Sequence, residues 1–314
     1  MVDWKLAFDR QSHVQGIQSF IDNGVRPSMI PILISFFKNR QMQVKWRGLL
    51  SKVRALPGGG PQGGTLGIEE YLSQTNGNTD FLEDDEKYKF IDDLSILEIL
   101  NLISMALSNY DYQSHVASDI GTEHKYVDPN SLKTQTYLDK IADWTDKKEM
   151  KLNCKKTKYM IFNPSKNFQF NTRLKLEGKN IEQVHETKLL GVIIQDDLSF
   201  KSNTEFITKK AYKRMIILKN LYHFNLPISD MIEIYCLYIR SVVEQAAVVW
   251  HSSLTKGKQL DIERIQKVAM RIILKDEYIN YTHALRITGM STLKSRRNSL
   301  CLNFARKCVR NKKL

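Results

Sequence analysis

The residues best suited to chemistry are three adjacent aspartate pairs: Asp84/Asp85, Asp92/Asp93 and Asp196/Asp197. Their neighbours set them apart. Asp84/Asp85 lies among Glu83, Glu86 and Lys87, as in a solvated loop, and Asp196/Asp197 follows an apolar stretch over residues 189–194, as in a turn. Asp92/Asp93 is preceded by Phe90-Ile91 and followed by Leu94, Ile96 and Leu97. Two carboxylates wedged between buried strands repel each other and lose hydration unless a cation compensates them. That pattern points to a divalent metal, because hard cations such as Mg²⁺ take oxygen ligands and hold substrate phosphates in their remaining positions. A hairpin turn would present the pair at a sheet edge.

Elements around the pair follow from periodicity and punctuation. Residues 14–22 and 27–37 read as helices, the second opened by Pro27, and residues 43–46 as a strand. A glycine-rich stretch, residues 56–65, comes next, and residues 88–97 suit a buried hairpin. Helical spacing returns over 132–149; residues 156–162 and 187–194 look like strands. Beyond Phe200 the pattern is helical. Asn203 or Thr204 is placed to cap a helix running to about residue 221, followed by helices over about 230–250 and 259–274. A mixed body thus gives way to a helical tail near residue 200.

Charge changes at the same place. Residues 1–200 carry 25 Lys and Arg against 26 Asp and Glu, whereas residues 201–314 carry 22 against 8, so the tail holds the whole excess behind the net charge of +13. A basic surface beside a balanced body suits a polyanionic partner, nucleic acid or an acidic membrane. The hydrophobic fraction of 42% is that of a globular protein, and no apolar run approaches the roughly 18 residues of a membrane span. The first ten residues already hold four charges, which argues against a secretory signal. Four scattered cysteines, Cys154, Cys236, Cys301 and Cys308, indicate neither a disulfide nor a zinc site and suit a reducing intracellular compartment, nucleus or cytoplasm.

Phe90-Ile91-Asp92-Asp93 resembles the Phe/Tyr-x-Asp-Asp hairpin of reverse transcriptases. Four further segments, in the family's order, strengthen the likeness. Val2-Asp3-Trp4-Lys5-Leu6-Ala7-Phe8-Asp9 is similar to motif A of non-LTR retrotransposons, and Gly60-Pro61-Gln62-Gly63-Gly64-Thr65-Leu66-Gly67 to the Pro-Gln-Gly motif B. Met150-Lys151-Leu152-Asn153-Cys154-Lys155-Lys156-Thr157 resembles motif D, and Lys188-Leu189-Leu190-Gly191-Val192 the primer grip. The sequence departs from the pattern at Ile68-Glu69-Glu70, where the family more often continues with apolar residues.

The resemblance implies an α+β fold: a ferredoxin-like polymerase palm over residues 1–200, an antiparallel sheet packed by helices, then a basic α-helical thumb over 201–314. Motif A begins at Asp3, so the fingers are expected to be missing from this chain. The implied activity is RNA-directed DNA synthesis from dNTPs on a primer, with an RNA template. Asp3 and Asp92 would hold two Mg²⁺ ions, with Mn²⁺ as a substitute, and Asp93 would support them. Phe8 would stand where a ribose 2′-hydroxyl collides; Gln62 and Gly63 would meet the nucleotide, and Lys156 would protonate pyrophosphate. On the thumb, Lys209, Lys210, Lys213 and Arg214 on one helix, and Arg264, Lys267 and Arg271 on one face of another, would track the duplex phosphates. The alternative is a transposon-derived remnant that binds RNA or DNA without catalysis.

Overall fold

A computed structural model describes residues 1–56, 58–60, 65–82, 87–90, 92–99, 123–126, 132–162 and 168–311 of the 314-residue chain. Gln62, Gly63 and the pair Asp84/Asp85 lie outside the described residues. The chain divides into two compact units, Met1–Ile161 with Ser165–Val184, and Phe162–Pro164 with His185–Leu314.

In the first unit, helix α1 (His13–Asp22) starts at Ser12, whose hydroxyl accepts from the Gln15 amide, and ends before Gly24. Pro27 opens a 3₁₀ turn (Pro27–Met29) that leads into α2 (Ile30–Phe37). Helices α1 and α2 share a small core of Phe20, Leu33 and Phe37. The expected strand over 43–46 is split: β1 (Gln41–Met42) and β2 (Lys45–Trp46) turn through Arg47-Gly48 into β3 (Leu49–Leu50) and β4 (Arg54–Ala55).

Beyond the glycine-rich stretch come α3 (Thr65–Thr75), the antiparallel hairpin β5 (Lys87–Phe90) and β6 (Asp93–Ile96), and β7 (Glu123–Tyr126). Helix α4 (Lys133–Lys147) follows. Val2 bridges Leu94 and Trp4 bridges Leu152, both antiparallel, so residues 2–4 lie between β6 and residues 151–153. Alternate side chains of an extended chain face opposite sides. Val2, Trp4, Leu94 and Leu152 therefore turn to one side, where all four are buried with Leu138 and Ile141 of α4 and Tyr71 of α3. Leu94 is wholly buried, which stabilises the fold by about 1.5–3 kcal/mol. The hairpin itself is only half-buried, contrary to expectation: Tyr88 and Phe90 are each 58% exposed because only the Leu94 side has cover.

The architecture is α+β, but the strands pair two at a time among the described residues, five pairs antiparallel and two parallel. The parallel pairs are β7 with β9 (Phe168–Asn171), and β8 (Lys158–Tyr159) with β12 (Glu182–Gln183); β10 (Lys175–Leu176) and β11 (Lys179–Asn180) form a hairpin.

The second unit opens with a hairpin, β13 (Glu186–Leu189) and β14 (Val192–Gln195). Its turn residues Leu190 and Gly191 both have positive φ, 46° and 88°, the conformation of a type I′ turn, which matches the twist of the strands it joins. This hairpin belongs with the helices because Val192 enters their core and Asn203 Oδ1 accepts from the Ile193 amide at 3.1 Å. Asn203 is thus used as a clamp, not a cap. Helix α5 (Lys201–Arg214) begins earlier, after Phe200 at φ 50°, and Thr204 donates its hydroxyl back to the Phe200 carbonyl. Short α6 (Ile216–Leu221) completes the stretch.

The helix expected over 230–250 is broken into α7 (Ile228–Ile234), a π-helical turn (Tyr235–Arg240), α8 (Ser241–Glu244) and α9 (Ala247–Trp250). The break falls at Ala246, whose φ is 49°, and the Trp250 indole N–H donates to the Gln245 carbonyl at 3.0 Å across it. Helix α10 (Lys256–Leu274) is capped by Thr255 and crosses the core through Ile262, Ile265 and Ala269. Then come α11 (Tyr281–Thr288) and α12 (Leu293–Arg310). Buried Glu263 accepts from the Leu293 and Lys294 amides at 3.0 and 3.1 Å, satisfying the open first turn of α12. No helix among the described residues is long and apolar enough to cross a membrane.

Candidate active site

Asp3 owes its position to backbone bonds on both edges of its strand. The Val2 amide donates to the Leu94 carbonyl at 2.8 Å, and the Asn153 amide donates to the Asp3 carbonyl at 2.8 Å. The Asp3 amide donates to the buried Thr157 hydroxyl at 3.1 Å. With Val2 opposite Leu94 and Trp4 opposite Leu152, the register sets Asp3 opposite Asp93 on one side and Asn153 on the other. Side chains directly opposite have Cβ atoms about 5 Å apart. Asp93, Asp3 and Asn153 thus form a row on the face away from the buried Leu94. Asp92 sits in the hairpin turn, next to Asp93.

Hairpin β5–β6 is fastened to the end of α3. The Lys89 ammonium donates to the Thr75 carbonyl at 2.8 Å and to Asn78 Oδ1 at 3.2 Å, a cation on the negative end of a helix. Burial lowers the Lys89 pKa to about 8, opposed by Asp80.

Electrostatics show that the three carboxylates share one neighbourhood. The Asp93 pKa is raised, first by burial and then by the charges of Asp92 and Asp3. Tyr71 is pushed well above its ordinary value by burial and then by Asp92, Asp3 and Asp93 in turn. Asp3 Oδ2 is buried and has no hydrogen-bond partner, nor has the Tyr71 hydroxyl. A buried carboxylate oxygen with nothing to bond, beside two more negative charges, is the deficit a cation would cancel. Among the described residues, however, no three Asp, Glu, His or Cys side chains already stand as a ligand group. What Asp3, Asp92 and Asp93 offer is the oxygen ligand type that a hard cation takes.

Phe8 stacks on Tyr71 with ring centroids 4.6 Å apart, and through Tyr71, whose hydroxyl feels all three carboxylates, it is joined to their surroundings. Lys156 is exposed in the turn that follows Asn153, its amide bonded to the Asn153 carbonyl at 3.0 Å. The glycine stretch packs on the chain's own backbone: a Cβ on Gly58 would come within 2.8 Å of the Gln11 carbonyl oxygen, and Gly59 has φ +93°. The Gly60 amide donates to the Phe8 carbonyl at 2.8 Å, tying this loop to the segment that carries Phe8.

Four residues here were not read as site residues from the sequence: Asn153, which arrives through strand register, and Tyr71, Glu70 and Gln11. Tyr71 joins the site by packing, which no spacing reveals. Glu70 and Gln11 are fully buried, and all four of their side-chain oxygen and nitrogen atoms lack partners. Burial raises the Glu70 pKa to about 7, with Arg40 acting the other way. The signal for Glu70 was its departure from the apolar pattern of motif B.

In the helical unit the basic residues divide. Lys209 and Lys213 of α5 are exposed, but Lys210 lies over the Phe206 ring and Arg214 Nη1 donates to the Tyr238 carbonyl at 2.7 Å. The four do not share a face, since a helix turns about 100° per residue. On α10, Arg264 pairs with Asp261 at 2.7 Å, while Lys267 and Arg271 lie over the rings of Tyr281 and Tyr278. Between α5 and α10 lies a groove of about 230 Å³ lined by Lys209 and Tyr212 and by two ion pairs, Lys258 with Glu205 and Arg264 with Asp261.

No protein-family profile matches the chain. It is 24% identical over 221 residues, 68% of its length, to the probable RNA-directed DNA polymerase from transposon BS of Drosophila melanogaster. It is 25% identical over 202 residues, 64% of its length, to the RNA-directed DNA polymerase from mobile element jockey of Drosophila funebris. The chain spans about a fifth of the length of these curated relatives, 22% and 20%. These matches point the same way as the five sequence motifs: the chain is similar to RNA-directed DNA polymerases of transposable elements.

Proposed function

We propose that the chain carries the catalytic palm of a reverse transcriptase, residues 1–200, and a duplex-binding thumb, residues 201–314. The observation that carries this reading is Asp3 opposite Asp93 with an unpartnered buried Oδ2. Asp3 and Asp92 would hold two Mg²⁺ ions and Asp93 would support them. When bound, such ions lower the pKa of a primer 3′-hydroxyl and neutralise charge on the transferred phosphate. The chain's own residues then have distinct tasks. Phe8, braced by Tyr71, occupies the sugar side of an incoming nucleotide and disfavours a 2′-hydroxyl. Gln62 and Gly63 would contact the nucleotide, and Lys156 is free to approach the leaving pyrophosphate as a general acid. An RNA template and a DNA primer would lie along Lys209 and Lys213 of α5 and Arg264, Lys267 and Arg271 of α10 through their phosphates.

The test is primer extension from dNTPs on an RNA template with Mg²⁺ or Mn²⁺. Synthesis that Asp92→Asn abolishes supports the reading; synthesis that survives in Asp3→Asn and Asp92→Asn removes it. A second reading, binding of RNA or DNA without catalysis, rests on the exposed Lys209 and Lys213, whose charges can meet phosphates whether or not the carboxylates hold a metal. It predicts salt-dependent binding with no extension under either metal.

A further inference from the structure

The ribbon β1–β4 is the least explained part of the first unit. Every residue from Gln41 to Ala55 is exposed, including Trp46 at 70%, Leu49 at 76% and Leu50 at 61%. A two-stranded ribbon by itself is marginal in water, and exposed apolar side chains gathered in one place mark a contact surface. The ribbon is nonetheless well formed. Lys45 pairs with Leu50 and Trp46 with Leu49, the Ser51 amide donates to the Val44 carbonyl at 2.9 Å, and Gln41 and Met42 pair with Ala55 and Arg54.

Charge identifies the partner. From Lys38 to Leu56 the chain holds six Lys and Arg and not one Asp or Glu, although its first 200 residues are balanced overall. At the tip, the Arg47 guanidinium lies 5.8 Å from the centre of the Trp46 ring, so a flat aromatic surface and a fixed cation stand side by side. The pairing puts Trp46 and Leu49 on one face and Lys45 on the other. This combination suits a single nucleic-acid strand: a base stacks on an exposed indole whatever its identity, while neighbouring cations hold the phosphates.

We propose that the ribbon tip, Lys45 to Leu50 with Lys52 and Arg54 behind it, is a binding site for single-stranded nucleic acid, with Trp46 as the stacking platform. The ribbon's exposure and charge are enough for this role, which does not require polymerase activity.

The experiment uses the full chain and a fluorescently labelled single-stranded RNA homopolymer, read by anisotropy across a salt series. Trp46→Ala is expected to weaken binding about tenfold, the low end of base stacking on an aromatic. Lys45→Gln with Arg47→Gln should flatten the salt dependence by about 0.7 in slope for each phosphate no longer neutralised. All these side chains are exposed, so circular dichroism should be unchanged. Lys209→Gln with Lys213→Gln is the control: if it abolishes strand binding while the ribbon variants bind like the parent, the proposal is overturned and the strand is held by the helical unit. Trp46-dependent binding to phosphatidylcholine–phosphatidylserine vesicles, with strand affinity unaffected by Trp46→Ala, would also overturn it, in favour of a membrane surface. Loss of primer extension with strand binding intact would count against the polymerase reading alone.

Discussion

Asp3 stands opposite Asp93 across the antiparallel bridge that joins Val2 to Leu94. Some ninety residues of chain separate them, yet each raises the electrostatic cost of ionising its surroundings, and the Asp93 carboxyl is held above its ordinary value by burial, Asp92 and Asp3. A divalent cation should relieve this. Thermal unfolding is therefore expected to shift upward with Mg²⁺, by up to about 2.7 kcal/mol at a concentration one hundred times Kd. In Asp3→Asn the metal-free protein should be as stable as the parent or slightly more so, because one of three repelling charges is gone. Its Mg²⁺-dependent gain should disappear. An equal gain in both proteins would remove Asp3 from the metal site.

Glu70 gives a separate pH dependence. Its pKa rises from 4.5 to about 7 on folding because its buried carboxyl has no partner. The folded state thus holds a proton that the unfolded state has released. The associated stability is fully present below about pH 4.5 and is lost as pH rises through 7, a change of at most roughly 3 kcal/mol. Urea unfolding of Glu70→Gln, compared with the parent at pH 5 and pH 8, isolates this contribution. The parent should lose more stability than the variant over that interval, and parallel losses would show that another group is responsible.

Phe8 and Tyr71 make a prediction that separates stacking from specificity. Removing the Phe8 ring forfeits the stacking at 4.6 Å, worth about 0.5–1.5 kcal/mol beyond the area it buries. Tyr71→Phe keeps the ring and removes a hydroxyl that has no partner, so it should cost little. In parallel extensions with dNTPs and rNTPs, Phe8→Ala should raise the use of ribonucleotides while Tyr71→Phe leaves the ratio alone. If Phe8→Ala loses stability with the ratio unchanged, Phe8 is a packing residue only.

Much of this is legible in the order of residues alone. The α1 and α4 helices and the β5–β6 hairpin lie where periodicity and punctuation put them, because each has an apolar face that a core satisfies. Other features are set by packing that sequence spacing does not encode. Asn203 has the type and place of a helix cap but serves the neighbouring hairpin, and the 230–250 helix breaks at Ala246 where Trp250 reaches back to Gln245. The carboxylate pair declares itself by composition. Its partners Tyr71 and Asn153 do not, since they arrive through α3 packing and strand register. The exposed ribbon tip is hidden for a similar reason: Trp46, Leu49 and Leu50 have the types of core residues, and only the structure shows them in solvent.

The last prediction concerns which basic residues of α5 meet nucleic acid. Lys209 and Lys213 are four residues apart and exposed, so both present their charge on one face of the helix. Lys210 and Arg214, equally spaced, are turned to the protein: one lies over Phe206 and the other donates to the Tyr238 carbonyl. Binding of a primer–template duplex, followed across a salt series, should therefore respond unequally to neutralisation. Lys209→Gln and Lys213→Gln should each lower the slope of log affinity against log salt by about 0.9, the value for one duplex phosphate released from its counterion. Arg214→Gln should leave that slope intact and instead destabilise the helical unit by about 1 kcal/mol through removal of its hydrogen bond. Should Arg214→Gln flatten the slope while Lys209→Gln and Lys213→Gln do not, the opposite face of α5 is the one that meets the duplex.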